Sequence, residues 1–519
     1  MKPRFVVRRL LALSVIEMVL GACATSGVFR TAGSGGAQRS ALRAAIDSMA
    51  DAPEFHNAFW GILVVDPERG DTLYSRNAGK LFLPASNMKV VTSSVALEQL
   101  GPDFTYRTTV VAHGTLRDST LSGDLVVIGR GDPTISDHMW VDAMIPLRAL
   151  ADSLAARGVK RIAGRLVPGG NAFPGPVLGY GWSWEDLESS YSAGIDELLF
   201  NEGFSEIRVH GGDHPGDPAR IETRPARTFP SLRSTVVTIA PRSCMAGDSA
   251  SSSPCPVMPT RRERRRELIA IKDTLRGDVI LSGGVAAGDS VTLEFTHRDP
   301  DLAYLAALAE ALHDRGITVD SGVAVRADTA AALGGDTLVT LVSKPLRDIL
   351  PALLKPSQNQ IAEVLLRTLG LERGGSGTAD SGRKVVERQL ASWGVPPSTY
   401  VIRDGSGLSR YDYLAPEALV HILDVMRRSP NFQLFYDALP IAGVDGTIKT
   451  RMRGTPAENN VHAKTGSVAN ARSLSGYVRT VGGRTLIFSI LANNWTVPAG
   501  DVTRVQDAIA ARLAALPLR

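Results

Sequence analysis

Pro84-Ala85-Ser86-Asn87-Met88-Lys89 opens a largely apolar run that continues to Leu100 and meets Gly101. That pattern predicts a helix over 86–100, stopped by the glycine. Ser86 and Lys89 then stand three positions apart and share a face. A serine hydroxyl is a weak nucleophile and needs a base beside it. Lysine titrates near 10.4 in water, so burial or a second cation must lower its pKa before it can serve. Two further triplets follow in order, Ser357-Gln358-Asn359 and then Lys464-Thr465-Gly466. The last supplies the second cation.

Each triplet alone says little. Ser381-Gly382-Arg383-Lys384 repeats the first pattern and Ser429-Pro430-Asn431 the second. Context separates them. Ser381 follows a Gly/Ser-rich stretch and reads as the start of a surface helix, whereas Ser429-Pro430 reads as a turn. Ser86 lies between a predicted hairpin and an apolar helix, where a nucleophile is held rigidly. Lys464-Thr465-Gly466 occurs once in the chain.

Composition narrows the class. The chain has 519 residues, more than one hydrophobic core usually takes, so two or three domains are expected. Its net charge of +4 gives no case for nucleic acid. The basic run Arg261–Arg266 has no interleaved aromatics and reads as a solvated face. Nine histidines show no Cys/His metal spacing, and His462 reads as structural. No metal and no cofactor are expected.

The N-terminus reads as an export signal. Lys2, Arg4, Arg8 and Arg9 precede a short apolar stretch, Leu10–Leu20, too short to span a bilayer. It ends in Leu20-Gly21-Ala22-Cys23, which resembles a bacterial lipobox with Cys23 as the lipidated residue. Cleavage near Ala22 or Ala24 without lipid is the alternative. Residues 24–40 read as a flexible tether. Cys244 and Cys255 are candidates for a disulfide in an oxidising compartment, with two free thiols as the alternative.

Along the chain, Phe59–Tyr74 reads as a hairpin around Asp66-Pro67-Glu68-Arg69-Gly70. Arg472–Thr480 and Arg484–Asn493 form a second hairpin around Gly482-Gly483. Helices are expected at 41–50, 299–315, 346–354, 360–369, 380–393, 415–428 and 501–515. Residues 102–297 carry strand and turn signals. The fold class is therefore α+β, one antiparallel sheet flanked by helices. It is built from residues 41–101 and 298–519, with 102–297 inserted as a strand-rich region of two subdomains. Asp404-Gly405-Ser406-Gly407 and Gly129-Arg130-Gly131-Asp132-Pro133 read as turns.

The three ordered triplets are the signature set of the serine enzymes that react with penicillin. With Gly131-Asp132-Pro133, Gly181-Trp182-Ser183-Trp184, Asp404–Ser409 and Ala442–Thr447, the chain resembles the D-alanyl-D-alanine carboxypeptidases of peptidase family S13 over roughly residues 41–515. The resemblance implies a penicillin-binding, serine β-lactamase-like domain. It implies that Ser86 is the nucleophile, with Lys89, Ser357, Asn359 and Lys464 moving protons and holding geometry. Thr465 and Gly466 would bind substrate, and the N–H groups of Ser86 and Ser467 would form the oxyanion hole. Partners would be peptidoglycan stem peptides, with β-lactams as inhibitors. A membrane would enter only through a lipid anchor; the oligomeric state stays open. A non-catalytic cell-wall recognition module and a β-lactamase are the other readings. The first has no use for Lys89, and the second lacks a general-base glutamate that can be named.

Overall fold

The computed structural model describes residues 34–187, 189–224, 232–240, 268–273, 278–297, 299–324 and 335–518. The segment expected to be an export signal, Cys23, Cys244, Cys255 and the basic run Arg261–Arg266 lie outside the described residues.

A five-stranded antiparallel sheet runs in the order Asp71–Arg76, Phe59–Asp66, Thr485–Asn493, Ala471–Arg479, His462–Val468. Both ends of the chain thus meet in one sheet, as the two hairpins predicted. Side chains alternate across it with the period of two that a strand imposes. Trp60, Ile62, Val64, Leu474, Val478, Phe488 and Ile490 point into one core, covered by helices Ser34–Ala50 and Ala499–Ala514. Leu63, Tyr477, Ile487 and Leu491 point the other way. There they meet a layer containing Met88–Leu100, Leu346–Leu354, Asn359–Gly374, Ala379–Ser392 and Pro416–Arg428. Each leucine or phenylalanine fully buried in these cores contributes about 1.5–3 kcal/mol.

The N-terminal helix starts at Ser34, inside the stretch expected to be a tether. An ion pair from Arg39 to Asp71 and the buried Leu42 and Ile46 hold it on the sheet.

The middle of the chain builds two further cores. In one, strands Asp336–Val342, Arg107–His113, Asp124–Ile128 and Leu166–Gly169 form a sheet packed by helices Met144–Ala156 and Pro300–His313. Met144–Ala156 was missed because its region carries so many strand and turn signals. The sequence reading closed the insertion at 297. In the structure, however, Tyr304, Leu305 and Leu308 pack in this middle core, and Asp336–Val342 pairs with Arg107–His113. Amphipathic period alone does not say which core a helix faces. The other core gathers on the strands Arg220–Arg224, Phe204–His210 and Ser290–Thr296.

The segment leading to Ser86 is tied on one side to the short strand Tyr413–Leu414 and on the other to the main sheet. Phe82 exchanges backbone hydrogen bonds with Leu414 at 3.1 and 2.9 Å. Leu83 N–H donates to Asn493 Oδ1 at 2.9 Å. Gly61 makes room for the Phe82 ring, since a Cβ there would lie 2.3 Å from it.

Candidate active site

Ser86 sits in a 3-10 turn, Ala85–Asn87, which runs straight into the helix Met88–Leu100. Ala85 has φ +47°, a left-handed conformation that costs an alanine on the order of 1–3 kcal/mol. The surroundings hold it there. Ser473 Oγ donates to Pro84 O at 2.7 Å, and Asn87 Nδ2 donates to Lys464 O at 2.9 Å. Two glycines permit the close approach. A Cβ on Gly407 would lie 1.8 Å from Ala85 O, and one on Gly466 would lie 2.9 Å from Ser86 N.

Lys89 is fully buried. Its Nζ donates to Ser86 Oγ at 2.8 Å, Asn359 Oδ1 at 2.6 Å and Ser406 O at 2.8 Å. Burial pulls its pKa down to about 7, against the opposing pull of Asp404, Glu363 and Asp412. An ammonium saturates all three acceptors. A neutral amine has only two N–H bonds. With those on Asn359 and Ser406, the nitrogen lone pair faces the Ser86 hydroxyl and can take its proton.

Lys464 is equally buried and faces the site from the edge strand. Its Nζ donates to Ser357 Oγ at 2.8 Å and Thr465 O at 2.9 Å. Burial first, then the neighbouring Lys89, hold its pKa well below the ordinary lysine value. Ser357 has φ +69°, which turns its hydroxyl out of the chain path ahead of the helix Asn359–Gly374. That helix is capped by Gln358, whose side chain accepts from Gln360 N–H, so Asn359 is free of the capping role. Asn359 instead bridges Lys89 and Tyr191 O, donating to the latter at 2.6 Å.

Behind Lys89 lies a group of buried acidic side chains, Glu363, Asp404 and Asp412, in segments that the sequence marks only as a helix and a turn. Glu363 Oε1 accepts from the N–H of Gly405 at 3.0 Å and of Ser406 at 2.8 Å. Asp404 accepts from the N–H of Gly407 at 2.6 Å and of Ser409 at 2.7 Å, and from Trp182 Nε1 at 2.9 Å. Asp412 accepts from Arg403 N–H at 2.6 Å. These bonds fix the turn so that the Ser406 carbonyl points at Lys89. Burial, then the nearby Asp404, raises the pKa of Glu363 and of Asp412. The signal was available in part: Glu363 stands between the apolar Ile361-Ala362 and Val364-Leu365-Leu366, and Asp404 opens a glycine turn.

A cleft of ≈ 440 Å³ opens over Ser86, lined also by Ser357, Asn359, Thr465, Gly466 and Ser467. The structure therefore brings together every residue expected at the site from the three triplets. It adds Asp186, Tyr191, Arg410 and Arg451, which no short pattern marked, and Thr447, the last residue of the stretch Ala442–Thr447. Thr447 Oγ1 lies 2.7 Å from Thr465 Oγ1. Ser473 is buried beneath Pro84, and Arg472 lies over the Trp495 ring. The look-alike patterns stay outside. Ser381 Oγ donates to Gly374 O at 3.1 Å within a helical hairpin. Ser429 Oγ accepts from Asn431 N–H at 3.1 Å in a turn. His462 stacks on Tyr436 at 3.9 Å, a packing role.

Comparison with known proteins shows the family. The model of the D-Ala-D-Ala carboxypeptidase 3 (S13) family matches residues 42–516. The chain belongs to that family. A D-alanyl-D-alanine carboxypeptidase of Actinomadura sp. is 34% identical over 490 residues, covering 92% of this chain and 85% of the relative. The D-alanyl-D-alanine carboxypeptidase DacB of Haemophilus influenzae is 27% identical over 460 residues, covering 87% of this chain and 88% of the relative. The crystal structure of penicillin binding protein 4 (dacB) from Haemophilus influenzae shares the fold, with a TM-score of 0.75 at 23% identity over 91% of this chain and 99% of that one. The expected α+β penicillin-binding fold is thus the observed one. The same protein has been crystallised in complex with a β-lactam.

Proposed function

We infer that this S13 family member is a serine DD-peptidase acting on peptidoglycan stem peptides that end in D-Ala-D-Ala. The observation that carries the reading is the 2.8 Å contact between Lys89 Nζ and Ser86 Oγ inside the cleft, faced by the Lys464–Ser357 pair at the same distance. Neutral Lys89 takes the Ser86 proton while Oγ attacks the carbonyl carbon of the penultimate residue. The N–H groups of Ser86 and Ser467 hold the oxyanion; losing one such donor costs ~10²-fold or more. Lys464 and Thr465 hold the terminal carboxylate. Ser357, bonded to Lys464, relays to the leaving nitrogen the proton that Lys89 took from Ser86, which leaves the Lys89 amine neutral again, and the C–N bond breaks. D-Alanine departs, and water, deprotonated by the same amine, hydrolyses the acyl-Ser86 ester. A β-lactam acylates Ser86 in the same way, but its leaving nitrogen stays tethered. Cross-linked stems present the same D-Ala carbonyl, which supports an endopeptidase activity as well.

The same reading extends to location and architecture. The mature protein is exported to the periplasm or cell envelope, either anchored by lipid on Cys23 or cleaved nearby, with Cys244 and Cys255 paired. The catalytic unit is the sheet and its helices, and the two middle cores are an insertion in it. Mass spectrometry of the mature N-terminus tests the anchor: a chain starting after Ala24 refutes it.

The test of function is labelling with a fluorescent penicillin beside Ser86→Ala, with D-alanine release from a pentapeptide measured in parallel. Stable label and release by the wild type alone are expected. No label and no release would leave a recognition module. Rapid turnover of label without release would indicate a β-lactamase.

A further inference from the structure

A second concavity, of ≈ 600 Å³, adjoins the active cleft. The two share Thr447, whose hydroxyl is 2.7 Å from that of Thr465. Its walls carry Lys344, Lys355, Lys449 and His138 against a single carboxylate, Asp348. Lys355 is paired with Asp445 at 2.6 Å. Lys344 donates to Met139 O at 2.7 Å and lies 4.3 Å from the centre of the Trp140 ring, which holds its ammonium in place without neutralising it. Among the described residues no carboxylate pairs with Lys344 or Lys449. The half-exposed His138 bonds the buried Glu202 at 3.0 Å, which holds it in the wall. The result is a cationic recess of ligand size beside the catalytic residues.

Its position gives it a role. On the DD-peptidase reading, the leaving residue sits with its carboxylate on Lys464 and Thr465. Tyr191, Asp186 and Arg410 line the cleft and not the recess, and the recess opens beyond Thr447. A free D-alanine is too small to extend past Thr447. The leaving half of a cross-linked pair is a whole stem peptide, continuing from the side chain of the residue that holds the scissile nitrogen and bearing further carboxylates. We propose that this recess binds the carboxylate-bearing leaving stem of cross-linked peptidoglycan, and so separates endopeptidase from carboxypeptidase action. The inference rests on the DD-peptidase reading and assigns that site a second substrate region.

The test compares a cross-linked dimeric stem peptide with a monomeric pentapeptide, using wild type, Lys449→Glu and Lys344→Glu. Lys449 is exposed, so its reversal leaves the packing alone. The expected result is a fall of about tenfold in kcat/KM on the dimer for each reversal, with pentapeptide cleavage and penicillin labelling within twofold of wild type. Wild-type cleavage of the dimer should also weaken with added salt more steeply than cleavage of the pentapeptide. Equal losses on both substrates, or unchanged dimer cleavage in Lys449→Glu, would overturn the proposal. A wild type that releases D-alanine but leaves the dimer intact would overturn it too, and would leave the DD-peptidase reading standing. Failure on both substrates and on penicillin would strike that reading itself.

Discussion

Replacing Gly466 with alanine puts a methyl group where the nucleophile turn already presses on the edge strand. The new Cβ would lie 2.1 Å from Ser473 Oγ, 2.6 Å from Pro84 O and 2.9 Å from Ser86 N. The serine hydroxyl can rotate away, but the two backbone atoms cannot. Ordinary contact begins near 3.4 Å, so the turn must withdraw by about 0.8 Å at Pro84. That moves Ser86 Oγ and its N–H away from Lys89 and the Thr465 strand. A misplacement of about 1 Å costs on the order of 10²-fold in rate, and overpacking costs about 1–3 kcal/mol of stability. Gly466→Ala should therefore stay folded, with a lowered Tm, and acylate with penicillin on the order of 10²-fold more slowly. The assay is the second-order rate of labelling by a fluorescent penicillin, with circular dichroism to confirm folding and Gly500→Ala as a control, since its nearest neighbour would be 3.9 Å away. Adding Ser473→Ala should restore little, because the backbone contacts remain. Labelling by Gly466→Ala within about threefold of wild type would refute the steric reasoning.

Four other outcomes are expected. The acylation rate should rise with pH through an apparent pKa near 7, the value to which burial brings Lys89; a flat profile between pH 5 and 9 would exclude a lysine base. Because that folded pKa is below the unfolded one, the unfolded chain binds more protons between about pH 7 and 10.4, so this group makes stability increase with pH across that window. Denaturant unfolding should show a steeper rise of stability with pH in the wild type than in Lys89→Met, which keeps only the part due to Lys464. Glu363→Leu should leave the Gly405 N–H without its acceptor and the Ser406 N–H with Asp404 alone, and slow acylation by about tenfold or more, whereas Glu363→Gln keeps an acceptor and should recover most of it while shifting the pH profile; equal defects in both variants would make the role one of charge alone. Ser381→Ala should label at the wild-type rate, because Ser381 only closes a helical hairpin.

Much of this molecule was legible in the residues themselves. The nucleophile, its lysine and the two partner triplets were readable because their chemistry demands particular residue types at short, fixed spacings. The two hairpins that form the main sheet were readable because alternation and glycine turns are local signals. What only the tertiary structure decided depends on contacts between distant segments. Lys89 becomes a usable base through Asn359, the Ser406 carbonyl and full burial, none of which its own helix reveals. That Gln358 caps the following helix while Asn359 turns toward Lys89 and Tyr191 depends on which side chain the packing turns inward. The carboxylates behind the lysine, the cleft residues Asp186 and Arg410, and the middle core that claims Pro300–His313 all come from chain segments brought together by folding. A local pattern states what a residue can do; burial and long-range partners decide which of those things it does.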